Sequence, residues 1–91
     1  MATHQLKVWS EYMDDLLNGS KTFELRFNDR NFQVGDFLSL MEYDKENQKY
    51  LSRELSVKIT YILDNSVFDA LKEGYVIMGI KPCFNTQDIK C

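Results

Sequence analysis

The stretch "GSKTFELRFNDR", Gly19 to Arg30, sets a lysine, a glutamate and two arginines among regularly spaced apolar residues. From Thr22 the spacing is two: Phe23, Leu25 and Phe27 fall on one side, and Thr22, Glu24 and Arg26 on the other. That is the period of a strand. It predicts Phe23 and Leu25 against a core, with Glu24 and Arg26 lining a cavity. Lys21 is out of phase, but it occupies the turn into the strand, where its long stem reaches the same side.

The segment before this strand has a different period. Trp9, Tyr12, Met13, Leu16 and Leu17 repeat as one face of a helix, read here as a core face. Ser10 is placed to cap this helix, and Asn18-Gly19 stops it, with Gly19 in the left-handed conformation. Earlier still, "HQLKVW" alternates Leu6 and Val8 with Gln5 and Lys7, a first short strand.

Downstream, "NDRN" and "VGD" carry turn chemistry and lead into an apolar strand from Phe37 to Tyr43. Asp44 to Lys49 reads as a polar hairpin loop. Leu55, Val57, Ile59, Tyr61 and Leu63 then mark a long half-buried strand. Ser66 to Glu73 is predicted as a short capped helix burying Val67, Phe68 and Leu71. "YVIMGI" is a closing strand ended by Pro82. The predicted order is strand, helix, three strands, short helix, strand, without a linker or repeat. Short strands with few helices favour a closed or partly closed barrel, which removes exposed edges.

Ninety-one residues make one small domain. It is assigned here to residues 1–82, with 83–91 as a C-terminal tail of weak periodicity. The net charge of −3 argues against a broad footprint on duplex nucleic acid, while leaving room for a local basic patch. No apolar run reaches the ~20 residues of a membrane span, and "MATHQLKVWS" lacks the blocks of a signal peptide, so a cytoplasmic protein is expected. Cys83 and Cys91 are read as free thiols. With no C-x-x-C spacing and His4 as the lone histidine, the residues call for no metal or cofactor.

Two readings of the charged strand stay open on spacing alone. A surface pair of Glu24 with Arg26, beside a solvated Lys21, would contribute only ~0 to 1 kcal/mol. Spacing alone favours that version. The other is a cation-rich pocket with one acceptor, suited to a planar ligand such as a nucleobase with a phosphate or sugar beside it. Trp9, Tyr12 and Tyr75 suit packing better than stacking at their spacing, and Asp29 and Asp36 suit turns.

"GSKTFELR" resembles the G-x-K-x-x-E-x-R signature of ASCH domains, with Gly19, Lys21, Glu24 and Arg26 at the matching positions. "NDRNFQVGD" and "EGYVIMGIK" extend the likeness, over roughly Gln5 to Lys81, to a bacterial and bacteriophage subfamily of small ASCH-like proteins. The resemblance implies an α+β fold: a small PUA-like (ASCH) mixed β-barrel with one N-terminal helix and a second short helix. It also implies a pocket under the first helix that binds RNA or a nucleotide derivative. In a hydrolase branch of that superfamily, a lysine matching Lys21 works with a threonine where this chain has Glu24. Glu73 is only a loose positional counterpart of that branch's later acidic residue.

The expected site is therefore a ligand-binding set of Lys21, Thr22, Glu24, Arg26 and Arg30, in a module for single-stranded RNA or a nucleotide-like small molecule. If the protein is an enzyme, Lys21 and Glu24 carry the chemistry, in a small hydrolase of a modified nucleoside or RNA. A third reading is a protein-interaction module using an edge strand or the tail.

Overall fold

The computed structural model of the protein describes residues 1–83. The elements run β1 (Thr3–Trp9), α1 (Ser10–Asn18), β2 (Phe23–Phe27), β3 (Phe37–Asp44), β4 (Lys49–Asp64) and β5 (Tyr75–Pro82). The strands form one five-stranded sheet in the order β1-β3-β4-β5-β2. β1 lies parallel to β3, and the other neighbouring pairs are antiparallel. The register shifts between Met41 and Tyr43 and again between Ile59 and Tyr61. Such irregularities bend and twist a strand, and the sheet is curled into a half-barrel whose free edges are β1 and β2.

Strict alternation fills the concave face. Leu6 and Val8 of β1, Leu38 and Leu40 of β3, and Val57 and Ile59 of β4 all point inward, joined by Val76, Met78 and Ile80 of β5. α1 closes the core with Met13 and Leu16 alone, while Tyr12 and Leu17 are exposed. The buried face of the helix is thus narrower than its apolar pattern. Trp9 takes the N-cap position with no side-chain cap. The Ser10 hydroxyl, expected to cap the helix, instead faces the Glu42 carboxylate and favours its ionised form. The helix ends as predicted: Gly19 sits at φ 86°, and its N–H donates to the Leu16 carbonyl.

Three expectations are corrected. Ser66 to Glu73 forms successive turns instead of a second short helix. Asp64 organises them: its carboxylate accepts from the Ser66 N–H and hydroxyl, and its carbonyl accepts from the Val67 and Phe68 N–H groups. The Phe68 bond spans four residues as in a helix, but the Leu71 N–H bonds the Phe68 carbonyl three residues back, so the first turn does not propagate, and Val67 and Phe68 stay exposed. Second, the apolar side of β2 does not face the core as predicted, although Glu24 and Arg26 do line a cavity. Phe23, Leu25 and Phe27 are 46%, 50% and 54% exposed, whereas Glu24 is buried at 5%. The pairing explains this, because Glu24 lies opposite Met78 and Arg26 opposite Val76, and opposed residues share a face. Both partners point into the core. Third, Cys83 is disulfide-bonded, where a free thiol was expected; Cys91 and the rest of the tail lie outside the described residues. Among the described residues no helix is long and apolar enough to cross a membrane.

Candidate functional site

The gap between the free edges β1 and β2, beneath α1, is a pocket of about 580 Å³. β1 contributes Lys7, Val8 and Trp9, α1 contributes Tyr12, and the turn and strand that follow contribute Lys21, Phe23, Glu24, Leu25 and Arg26. Of the sequence-predicted set, the pocket thus brings together Lys21, Glu24 and Arg26. Thr22 and Arg30 do not line it. The Thr22 carbonyl accepts the Ile80 N–H at 3.1 Å, and the Thr22 side chain is exposed.

Glu24 is the hub. Its Oε2 is 3.4 Å from Lys21 Nζ, and its Oε1 is 3.3 Å from Arg26 Nε. The cations also bind backbone: Lys21 Nζ donates to the Phe23 carbonyl at 2.9 Å, and Arg26 donates to the Lys7 carbonyl at 2.6 Å. Lys21 Nζ lies 5.5 Å from the Tyr12 ring centroid and 4.8 Å from that of Phe23, within range of a cation–π attraction. The Gly19 turn sets this position, since the Lys21 N–H bonds back to the Asp15 carbonyl and aims the side chain under the helix.

Arg30 has a different task. Its guanidinium donates to the Gln5 carbonyl at 2.8 Å, so Arg26 and Arg30 together bridge from the β2 side to carbonyls of β1. In a closed barrel, backbone N–H groups would take those acceptors. Here arginine side chains span a gap that backbone does not close.

Sequence reasoning left out Lys7 and gave Trp9 and Tyr12 to the core. Their signal was position: Trp9 ends the first strand and Tyr12 lies one helical turn further on. Chemically, the pocket offers aromatic walls, several cationic donors and one carboxylate. None of the residues lining it is a serine, threonine, cysteine or histidine. Among the described residues no group of His, Cys, Asp or Glu is placed to hold a metal ion.

Two further ionic clusters lie elsewhere. Glu42, buried on β3, is gripped at both oxygens by Arg53 of β4, at 3.0 and 2.9 Å. Arg53 also reaches Asp14 of α1 at 2.6 Å. The Arg53 guanidinium, and after it the Ser10 hydroxyl, hold the Glu42 carboxyl down to about 2 against the opposing effect of burial. Asp36, offered above as a turn residue, is one. It accepts from the Ala2 and Gln33 N–H groups and meets His4 Nε2 at 2.9 Å. Burial pushes the Asp36 carboxyl up, but these bonds outweigh it and leave the group below the ordinary range.

A family model described as a domain of unknown function, DUF3850, matches residues 3–80. The chain is also similar to an "Uncharacterized 12.9 kDa protein in GpA 3'region" of Escherichia phage P2, at 36% identity over 75 residues. That match covers 82% of this chain and 64% of the phage protein, so the chain spans less than two thirds of the relative's length.

Proposed function

The chain belongs to the DUF3850 family, whose model covers nearly the whole sheet, and from that footing we propose that it is a binding module for a nucleotide, a modified nucleoside or the end of a single-stranded RNA. The proposal includes an ASCH-type, PUA-like barrel working in the cytoplasm. One observation carries it. A buried glutamate, flanked by Lys21 and Arg26, faces a half-open pocket walled by Trp9, Tyr12 and Phe23. A carboxylate acceptor beside cationic donors suits the edge of a base, the cations suit a phosphate, and the rings suit its π-face. Such pockets are built from apolar walls and a few convergent polar groups. The loose contacts of 3.3 and 3.4 Å around Glu24 leave donors free to rearrange onto a ligand.

The test is a thermal-shift screen with nucleosides, nucleoside monophosphates and short RNAs. A true ligand at ~100 times its dissociation constant adds about 2.7 kcal/mol of stability. A shift that vanishes in Arg26→Ala supports the pocket; silence across the screen overturns it.

A further inference from the structure

The pairing register sets Trp9 opposite Tyr43 across β1 and β3, and Tyr43 opposite Tyr50 across β3 and β4. Opposed residues share a face, so three rings from three strands form one row across the sheet. Their centroids are 6.0 Å apart between Trp9 and Tyr43, and 5.0 Å apart between Tyr43 and Tyr50. The row lies on the outer face, because Val8 and Glu42, the neighbours of Trp9 and Tyr43, point inward. At one end Trp9 also lines the pocket, and at the other Tyr50 is 51% exposed.

Cations accompany the rings. Lys7 Nζ stands 4.3 Å from the Tyr43 centroid, and Lys45 Nζ stands 5.6 Å from that of Trp9. The carboxylates beside Tyr43 in sequence are already engaged. Glu42 is held by Arg53, and Asp44 accepts from the Glu46 N–H and from both the backbone and side chain of Asn47. Arg53 offsets the charge of Glu42, and Asp44 keeps its own charge opposite Lys49, so Lys7 and Lys45 are the cations beside the rings that are not paired to a carboxylate among the described residues. The rings stand tilted and edge-to-face to one another, at 43° and 75°, so each offers its own face to a base, and with ammonium groups beside them they match one chemistry, alternating bases and phosphates.

We propose that this row continues the pocket as a stacking track for a single-stranded oligonucleotide. One nucleotide occupies the pocket, and the next bases stack along Trp9, Tyr43 and Tyr50. Lys7 and Lys45 leave the ring faces to meet the phosphates. This rests on reading the pocket as a nucleotide site and extends it from one nucleotide to a strand.

The experiment compares dissociation constants of the four nucleoside monophosphates with those of the matching tetranucleotides, as RNA and as DNA, at one fixed salt concentration. The best tetranucleotide is expected to bind at least about tenfold tighter than its monophosphate, since each stacked base strengthens binding severalfold or more. Tyr50→Ala and Lys45→Ala should each cut that ratio severalfold. Tyr61→Ala, which removes an exposed tyrosine elsewhere on β4, should leave it alone. Equal affinity for monophosphate and tetranucleotide overturns the track and leaves the pocket standing. So does a ratio that survives both Tyr50→Ala and Lys45→Ala in folded protein. Tetranucleotide binding that depends on Tyr50, without any monophosphate binding, overturns the pocket and with it the track as its continuation, leaving the rings as a separate stacking surface. No binding of either overturns both. Preference for RNA over DNA would assign a contact to the 2′-hydroxyl, and equal affinity would assign recognition to bases and phosphates alone.

Discussion

Two glutamates are buried in this small sheet, each beside an arginine on a strand, and they are held very differently. Arg53 takes both oxygens of Glu42 at 3.0 and 2.9 Å and reaches on to Asp14, tying β3, β4 and α1 together. Glu24 has two separate cations at 3.3 and 3.4 Å, and the shortest bond of Arg26, 2.6 Å, goes to the Lys7 carbonyl instead. A buried carboxylate is tolerated only when its partners offset the lost hydration. At Glu42 that requirement is met within the protein. At Glu24 it is met loosely, beside an open pocket, so a ligand can improve on what the protein supplies. The first cluster is a tie and the second is a socket.

The widest separation between them should come from removing the arginine of the tie. Arg53→Ala leaves Glu42 buried without its partner, and it should lower Tm more than any other substitution named here, as a melt by circular dichroism would measure. An Arg53→Ala drop no larger than that of Arg26→Ala would erase the distinction. Acid gives the next largest effect. The Glu42 carboxyl is held at about 2, below its ordinary 4.5, so its contribution is complete above that ordinary value and drains as pH falls toward 2. Denaturant melts across this window should show stability falling in the wild type and a flatter course in Arg53→Ala.

In the socket the loss should appear in binding more than in folding. Glu24→Ala should weaken a nucleotide ligand by about tenfold or more, the usual scale of a charge-assisted hydrogen bond. Its Tm should change less than that of Arg53→Ala, because Lys21 and Arg26 keep the Phe23 and Lys7 carbonyls. Calorimetric titration beside a melt separates the two quantities. Lys21→Arg is the smallest change, and affinity should stay within about threefold, since the positive charge is retained. Arginine cannot serve as a base or nucleophile, so turnover of an acylated nucleoside or RNA by the wild type that is lost in Lys21→Arg would convert the socket into a catalytic site.

Much of this architecture was legible in the residues. Alternation marked β1, β2 and β4 from Leu55 onward, apolar runs bounded by turn residues and Pro82 marked β3 and β5, and Asn18-Gly19 marked the end of α1. On β2, Glu24 and Arg26 line a cavity as expected, but Phe23 and Leu25 do not face the core, because period two divides a strand into sides without saying which side is inside. Apolar Phe23, Leu25 and Phe27 suggest one side, yet the inner side of this edge strand borders a gap where Lys21 and Arg26 accompany Glu24. The segment from Ser66 starts one helical turn at Asp64 but leaves Val67 and Phe68 exposed, so no buried apolar face sustains it. Arg30 was assigned to the ligand because charge was counted along the sequence, whereas its partner, the Gln5 carbonyl, belongs to a strand twenty-five residues earlier. Glu42 went unweighed although it continues the inward alternation of Leu38 and Leu40, and a charge in phase with a core was its signal.

The strand order also dictates when the pocket can exist. Its two walls never pair with each other: β1 is placed by β3, and β2 by β5, so that Phe23 waits for Gly79. During synthesis, Lys21, Glu24 and Arg26 leave the ribosome early and stay unplaced until the last strand emerges. A nascent chain or fragment ending before Tyr75 would carry every residue of the pocket and have no pocket. Contacts so distant in sequence form late and slowly, which makes ligand binding a report on whether the whole domain has finished folding.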